Sequence, residues 1–196
     1  MELHPQLVAR YYQWFGPQAK MILDLGCGDG SLGRHKSDPT LEVVGIESNE
    51  RTLEEAAAYE RVIRCDLEQL QLPLRDGLFD GVLAKDVLEH VQRPWKILKE
   101  VRRVMKPGGM LIVSVPLPRA GVVWNDYTHV RGFTKQALQK MLEDAGFSVL
   151  RIGKMGGIPG FGRLNLVRLI PALLAFPGVG SVFASSWEAV ASKRDR

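Results

Sequence analysis

Cysteine is scarce in this chain: only Cys27 and Cys65 occur among its 196 residues. Their spacing fits neither a disulfide framework nor a pair of metal ligands, and the histidines are not spaced as metal ligands either. We therefore expect no metal site, and a reducing compartment such as the cytoplasm. The first residues lack the basic and apolar regions of a secretory signal, which agrees with this expectation.

Long runs of one kind of residue are also missing. No five like charges follow one another, and the net charge of +4 is only mildly basic, so we expect no nucleic-acid partner. The apolar stripe at 164–176 is interrupted by Pro171 and is shorter than the ~20 residues that a membrane span requires. Because basic residues flank it, this stripe favours either a lid packed on the domain or peripheral contact with a membrane or lipid-like acceptor.

A short apolar run followed by alternate glycines is the most informative stretch of the sequence. Residues 21–25 are enough for one buried strand, and Gly26, Gly28 and Gly30 follow at every second position. Glycine permits a tight turn with positive φ and lets a ligand approach the main chain closely. A helix that begins at such a turn directs free N–H groups toward the ligand. The stretch therefore predicts a strand, a turn and a helix, with a ligand lying across the turn.

The type of ligand is indicated by Asp24, two residues before the first glycine. The spacing of Gly28, Gly30 and Gly33 also matches that of dinucleotide binders, but this match alone is weak. A carboxylate at this position would compete with a pyrophosphate for the same donors, whereas it suits a ligand that carries an ammonium and a sulfonium. An acidic residue followed by three alternate glycines resembles the first motif of the class I S-adenosylmethionine-dependent methyltransferases.

Three later segments agree with this resemblance. Glu47 ends the second predicted strand, where an acidic residue accepts hydrogen bonds from two ribose hydroxyls in methyltransferases and dinucleotide binders alike. The resemblance implies that Asp66 accepts from the adenine amino group and that the Leu67 backbone N–H donates to the ring, although Asp66 could instead cap the following turn. Residues 88–90 match a Leu-Glu-His turn of the family, which implies that a backbone carbonyl near Lys85 holds the methionine ammonium.

The resemblance thus implies a binding site for S-adenosylmethionine in a domain similar to the type 11, or ubiquinone-biosynthesis-methyltransferase-like, group. It implies an α/β fold: a doubly wound, Rossmann-like sheet of seven mostly parallel strands, the last antiparallel, with helices on both faces. The residues expected to bind the cofactor are Asp24, Gly26, Cys27, Gly28, Gly30, Glu47, Ser48, Asp66, Leu67 and Lys85.

One domain is expected for a chain of this length. We expect a helical cap at 1–20, a cofactor-binding core at 21–152, a lid-like apolar insertion at 153–180, and a final strand with a basic tail at 181–196. The predicted strands are 21–25, 41–46, 61–65, 79–84, 110–115, 147–152 and 181–192, and a turn at 106–109 precedes the fifth strand.

A long irregular loop follows the fifth predicted strand, and a loop of this length in a compact domain is usually functional or mobile. It contains Asp126 and His129, and similar loops in the resembled family carry such residues before a Phe-Thr helix start. These side chains either tie the loop down by hydrogen bonds or act as a catalytic base. His90 is a third candidate base, because histidine titrates nearest to neutral pH, but it could equally pack locally.

The chemistry implied by the resemblance is transfer of a methyl group to a small-molecule, glycan or lipid-like acceptor, at oxygen. An alternative is an NAD(P)-dependent oxidoreductase, which would explain the glycines and Glu47 but neither Asp66 nor residues 88–90. A second alternative is a catalytically silent domain that keeps the cofactor pocket for stability or for partner binding.

Overall fold

A seven-stranded sheet forms the centre of the protein. The structure is a computed structural model and describes residues 3–56, 61–119, 121–156 and 184–194. The strands are β1 (Met21–Leu25), β2 (Glu42–Glu47), β3 (Arg61–Arg64), β4 (Phe79–Lys85), β5 (Met105–Pro116), β6 (Phe147–Gly156) and β7 (Ala184–Lys193).

The strand order is β3-β2-β1-β4-β5-β7-β6. The pairs β1–β2, β1–β4, β2–β3 and β4–β5 are parallel, whereas β7 runs antiparallel to both β5 and β6. The order changes direction between β1 and β4, and in open α/β sheets ligands bind beside the carboxyl ends of the strands at such a point. The predicted Rossmann-like sheet with an antiparallel last strand is confirmed.

Helices cover both faces of this sheet. They are α1 (Pro5–Phe15), α2 (Ser31–Arg34), α3 (Glu50–Glu55), α4 (Pro94–Val104) and α5 (Lys135–Asp144). Successive side chains of a strand point to opposite faces, so Ile22 packs in the cluster that includes α1, and Leu23 packs in the cluster that includes α4 and α5. All of β1 except its first residue is buried, as its apolar sequence predicts.

The start of β1 is held by a carboxylate from β4. Asp80 Oδ2 accepts hydrogen bonds of 2.9 Å from the backbone N–H groups of Lys20 and Met21. Asp80 Oδ1 accepts a bond of 2.7 Å from Lys106 Nζ. Burial raises the pKa of Asp80, but these hydrogen bonds outweigh it and hold the pKa below its usual value. This contact fixes the end of the strand opposite to the glycine turn.

Several predicted boundaries were wrong. The turn expected at 106–109 belongs to β5, which begins at Met105 and pairs with Phe79 before the register shifts at Gly81. The helix predicted after the glycine turn is present as the single turn α2, and β3 ends at Arg64, one residue earlier than predicted. Of the insertion expected at 153–180, residues 153–156 belong to β6, and the remainder lies outside the described residues.

Candidate functional site

The glycine turn lies at the carboxyl end of β1 and is anchored to β2. The backbone N–H groups of Gly26 and Cys27 donate to the Ile46 carbonyl at 2.8 and 3.0 Å. Gly26, Gly28 and Gly30 have φ values of +73°, +53° and +77°, which side chains disfavour. A Cβ on Gly26 would lie 2.4 Å from Val87 Cγ2, whereas a Cβ on Gly28 would meet nothing within 4 Å. Protein atoms therefore fill the space beside Gly26, whereas the space beside Gly28 is open to a ligand.

Asp24 lies one residue before the end of β1 and is only 4% exposed. The pKa of the Cys27 thiol is raised to about 12, firstly by burial of the thiol and secondly by the negative charge of Asp24. Cys27 is therefore a neutral thiol that can contribute to a site through its backbone. The same two causes, in the same order, raise the pKa of the Tyr12 hydroxyl, which donates to the Leu32 carbonyl at 2.7 Å.

Glu47 joins the glycine turn to the end of β2. Its Oε2 accepts a hydrogen bond of 3.0 Å from the Gly28 backbone N–H. Its Oε1 accepts from the backbone N–H groups of Ser48 and Asn49 at 2.8 and 2.9 Å. Each carboxylate oxygen has two acceptor positions, so Oε1 is fully occupied and Oε2 keeps one position for a ligand hydroxyl. The sequence places Glu47 correctly at this edge, but its three bonds to the backbone were not anticipated.

Asp66 caps a short 3-10 helix, Leu67–Gln69, by accepting from the Glu68 backbone N–H at 2.9 Å. This is the capping role that was left open as an alternative, and the predicted adenine contact of Asp66 and Leu67 stays a prediction. At the end of β4, Lys85 forms an ion pair with Asp86, which has a φ of +53°. This irregular backbone follows the carbonyl that was predicted to hold an ammonium.

Parallel pairing brings these predicted cofactor residues to one edge. Leu25 pairs with Ile46 and with Ala84, so β1, β2 and β4 end side by side. Glu47 is in turn paired with Arg64, just before Asp66. All four strand ends thus meet at the carboxyl edge of the sheet, where this architecture binds ligands.

A second polar cluster follows β4 at the same edge. His90 and His129 have ring centroids 4.6 Å apart, and His129 Nε2 lies 3.9 Å from Glu89 Oε1 and 4.0 Å from Asp126 Oδ2. All three predicted candidate bases, Asp126, His129 and His90, are therefore brought together although the two histidines are 39 positions apart in sequence. The loop is held on this cluster because the Val130 backbone N–H donates to the Glu89 carbonyl at 2.9 Å.

Thr128 links Asp126 to His90. Its hydroxyl lies 2.6 Å from Asp126 Oδ1 and 3.0 Å from His90 Nδ1, and its backbone N–H donates to the same carboxylate oxygen at 2.9 Å. The bonds from the Thr128 hydroxyl and then its N–H lower the pKa of Asp126. Burial, followed by the neighbouring His129, lowers the pKa of His90. At neutral pH the cluster therefore holds a charged Asp126 and a neutral His90.

Glu89 is the residue of this cluster that sequence reasoning missed. It is fully buried, and burial raises the pKa of its carboxyl to about 8. Within the described residues, neither of its carboxylate oxygens has a hydrogen-bond partner. The only signal in the sequence was its position within the Leu-Glu-His segment, which marks it as part of a motif but does not reveal its burial.

The loop that carries Asp126 and His129 also exposes large aromatic side chains. Tyr127 is 97% exposed and Trp124 is 57% exposed, which is unusual for such large side chains beside a polar site. Arg131 donates to the Gln92 carbonyl at 2.6 Å and lies 5.8 Å above the Trp95 ring. The loop thus exposes stacking surfaces in the same segment as Asp126 and His129.

Comparison with known proteins agrees with this geometry. A family model described as a methyltransferase domain matches residues 23–113, from β1 to β5. The chain is 32% identical over 136 residues to the probable S-adenosylmethionine-dependent methyltransferase of Mycolicibacterium smegmatis, covering 65% of this chain and 52% of that protein. It is 32% identical over 140 residues to an uncharacterized methyltransferase of Schizosaccharomyces pombe, covering 64% and 50%. Residues 23–113 therefore match a methyltransferase domain, and the relatives support the class I S-adenosylmethionine-dependent superfamily.

Solved structures share the fold over nearly the whole chain. A methyltransferase of Archaeoglobus fulgidus aligns with a TM-score of 0.74 at 20% identity, covering 96% of this chain and 92% of that one. The [4+2]-cyclase SpnF aligns with a TM-score of 0.71 at 22% identity, covering 98% and 82%. Because a cyclase has the same fold, the fold alone does not establish methyl transfer. The chain spans about half the length of the curated relatives it matches.

The similarity to S-adenosylmethionine-dependent methyltransferases confirms S-adenosylmethionine as the expected cofactor. The residues present fit it: the main chain is open at Gly28, where a Cβ would meet nothing within 4 Å, and the carboxylates of Asp24 and Glu47 flank the turn. These are acceptors for an ammonium and for ribose hydroxyls. Among the described residues, no helix is both long and apolar enough to cross a membrane.

Proposed function

We propose that the protein transfers a methyl group from S-adenosylmethionine to a hydroxyl oxygen of a small-molecule, glycan or lipid-like acceptor. The observation that carries the proposal is the shared edge: the glycine turn ends β1, and the cluster of Asp126, His129 and His90 follows the adjacent strand β4. A donor bound at the turn and an acceptor bound at the cluster would therefore be neighbours.

The cofactor supplies a methyl group on a sulfonium that is already activated for transfer. We propose that Asp24 and the backbone carbonyl near Lys85 hold its ammonium, and that Glu47 and Ser48 hold the ribose. Asp66 and the Leu67 N–H are proposed to bind the adenine, and Gly26, Cys27, Gly28 and Gly30 to provide the main chain beneath the ligand. Correct alignment of donor and acceptor can lower the barrier by ~7–11 kcal/mol.

A hydroxyl acceptor also has to lose its proton. In the proposal, a side chain of the cluster of Asp126, His129 and His90 accepts this proton. Such proton transfer would raise the rate of methyl transfer by roughly 10²–10⁴-fold. Asp126 is charged at neutral pH, since the ordinary pKa of an aspartate lies well below 7 and Thr128 lowers it further. The exposed Trp124 and Tyr127 lie in the same loop and would stack on a planar or ring-shaped acceptor.

Membrane contact remains a separate part of the proposal. The stripe at 164–176 lies outside the described residues, so its role as a lid or as a peripheral contact with lipid is argued from the sequence alone. Sedimentation of the full chain with anionic phospholipid vesicles would test it: binding supports membrane contact, and recovery in the supernatant argues for a lid. A cytoplasmic location likewise stays a prediction.

Two measurements test the proposed function. Calorimetric titration of the full chain should give binding of S-adenosylhomocysteine and none of NAD; the opposite result would reject the proposal in favour of a nicotinamide enzyme. Labelled S-adenosylmethionine is then supplied with extracts fractionated into small molecules, glycans and lipids. Wild-type protein should label one fraction, and Asp126→Asn or His129→Gln should label it about 10²–10⁴-fold more slowly.

Matched controls keep the outcomes distinct. Asp24→Ala should lose S-adenosylhomocysteine binding and labelling together, whereas Asp126→Asn should retain binding. Asp144→Asn alters an exposed carboxylate on α5 that pairs with Lys140, and it should behave as wild type. Binding without any labelled product would indicate a silent cofactor-binding domain instead.

A further inference from the structure

A buried carboxylate lies beside two imidazole rings in the loop cluster. Glu89 is fully buried, and neither of its carboxylate oxygens has a hydrogen-bond partner among the described residues. One potential ligand atom each from Glu89, His90 and His129 lies within 4.8 Å of the other two. A buried carboxylate without a partner costs free energy unless a proton or a cation compensates its charge.

The tautomer of His129 directs a lone pair toward this carboxylate. His129 Nδ1 is hydrogen-bonded to the Val123 carbonyl, which can only accept, so the ring proton lies on Nδ1. The other ring nitrogen, Nε2, then carries a lone pair in the neutral ring and lies 3.9 Å from Glu89 Oε1. Donation from the second nitrogen to a backbone carbonyl is typical of metal-binding histidines.

The hydrogen-bond partners of His90 also determine which of its ring nitrogens carries the proton. The Thr128 hydroxyl has one proton and lies 2.6 Å from the charged Asp126 carboxylate, its stronger acceptor. It can then only accept at its 3.0 Å contact with His90 Nδ1, so Nδ1 is the protonated nitrogen. Each histidine thus has its Nδ1 proton held by an oxygen and its Nε2 available as a ligand atom.

We propose that Glu89, His90 and His129 bind one divalent transition-metal ion of the zinc type. Two imidazoles and one carboxylate are a ligand set that suits zinc, whereas magnesium prefers oxygen ligands alone. Metal–ligand distances of about 2.0–2.2 Å separate the ligands of a tetrahedral site by about 3.4 Å. The 3.9 Å between His129 Nε2 and Glu89 Oε1 exceeds this by about 0.5 Å, and the other separations lie within 4.8 Å, so the three side chains would draw together on binding. The fourth position would stay open, as in catalytic zinc sites.

This proposal departs from the expectation of no metal site. Metal motifs are recognised in sequence from ligands at close, regular spacing. Here Glu89 and His90 are adjacent in sequence, a spacing that does not match the known metal-binding motifs. The third ligand, His129, lies in a loop far along the chain. The bond between Val130 and the Glu89 carbonyl brings that loop to the cluster.

The consequence for catalysis rests on the proposed function. A cation in the cluster would favour ionisation of a neighbouring acceptor hydroxyl. His90 and His129 would then serve as ligands, and Asp126 would remain as the side chain that receives the hydroxyl proton. Metal binding itself requires neither cofactor nor acceptor, so it can be measured when both are absent.

The test uses the full chain without an affinity tag, treated with EDTA and dialysed. Calorimetric titration with ZnCl₂ should give one site per chain, and MgCl₂ should give no comparable binding. Glu89→Gln and His129→Gln should each weaken Zn²⁺ binding by more than about 100-fold. Thr128→Val keeps all three ligands but removes the oxygen that holds His90, and it should weaken binding by about 10-fold.

Controls separate this site from adventitious binding. His4→Asn removes an imidazole outside the cluster while keeping a side chain that can cap α1, so it should bind Zn²⁺ as wild type does. Titration of ¹⁵N-labelled protein should move the Nε2 signals of His90 and His129 on addition of Zn²⁺. Thermal unfolding and S-adenosylhomocysteine titration of the same variants verify folding and test the proposed function independently.

Three results would overturn the metal site. These are no stoichiometric Zn²⁺ binding by wild type, unchanged binding in Glu89→Gln, or unshifted Nε2 signals while binding occurs elsewhere. Methyl transfer that is unaffected by EDTA, together with normal Zn²⁺ binding, would reject only the catalytic consequence.

Discussion

Val87 fills the space that a side chain on Gly26 would require. Its Cγ2 atom lies 2.4 Å from the ideal position of such a Cβ, and the side chain is buried. Gly26 begins the glycine turn, and Val87 lies two residues before Glu89. The contact therefore connects the proposed cofactor site directly to the segment that carries the loop cluster.

Gly26→Ala is expected to destabilise the protein by about 3 kcal/mol, through strain at positive φ and through overpacking against Val87. S-adenosylhomocysteine binding should weaken as well, because the turn must shift. Urea unfolding and calorimetry measure the two effects.

Gly77→Ala is the matched control, since Gly77 also has a positive φ of +60° but has open space at its Cβ. Gly77→Ala should lower the free energy of unfolding by only about 1–2 kcal/mol and leave S-adenosylhomocysteine binding unchanged. Equal losses in both variants would refute a specific role for the Val87 contact.

Glu47→Gln should weaken S-adenosylhomocysteine binding by about 10- to 100-fold, since hydrogen bonds to charged groups contribute ~1.5–3 kcal/mol. The amide keeps the shape of the side chain but presents an NH₂ group to backbone donors that Glu47 now satisfies. Calorimetric titration gives the change in affinity. Glu42→Gln, at the opposite end of β2, serves as control and should bind normally. Wild-type affinity in Glu47→Gln would contradict the role of this carboxylate.

Asp80→Asn should destabilise the protein at pH 7 and lose its effect in acid. The folded-state pKa of Asp80 is lowered, because hydrogen bonds outweigh burial. Its carboxylate therefore contributes stability above the unfolded-state pKa of about 3.9, and this contribution is lost as the pH falls through the lower folded-state value. We expect a difference of about 1 kcal/mol at pH 7, since the site is partly exposed.

Urea unfolding of wild type and Asp80→Asn at pH 7, 4 and 2.5 checks this expectation. Asp144→Asn, which alters an exposed residue, should track wild type throughout. A difference between wild type and Asp80→Asn that persists undiminished at pH 2.5 would argue against the charge of Asp80 as its cause.

Thr128→Val should raise the pKa of Asp126 toward its ordinary value. The Thr128 hydroxyl is the largest cause of the lowered pKa, while the backbone N–H bond survives the substitution. Titration of the carboxyl carbon by NMR, in the presence of EDTA, measures the change. Asp38 is an internal control because Thr40 lowers its pKa through the same pair of hydrogen bonds, and its titration should not move. An unmoved Asp126 would show that the hydroxyl is not the cause.

The meeting of the strand ends at the proposed cofactor site could be predicted because it follows from local patterns and one topological rule. The apolar runs before Gly26 and Glu47 identify two strands, and parallel pairing then brings their ends together. Local patterns were less informative at Lys106, where a Pro-Gly-Gly sequence indicates a turn. Pairing of Met105 with Phe79 extends the strand through that segment, so tertiary contacts override the local preference.

The loop cluster could be predicted only in part. Asp126 and His129 were identified as residues of the right chemical type, but their distance from His90 depends on how the loop returns to the sheet. Burial of Glu89 depends on that same return, since its main chain is bonded to Val130. Neither contact has a signature in residue spacing, because each joins segments separated by about forty positions in the chain.

The antiparallel pair at the end of the sheet has a consequence for changes in the length of the chain. Gly156 pairs with Ala184, so the intervening chain leaves and re-enters the sheet at a single point, next to the carboxyl end of β5. Lengthening a connection whose ends are already adjacent adds little entropic cost. Insertions or deletions between these two residues are therefore expected to leave the sheet, and the glycine turn at the end of β1, undisturbed.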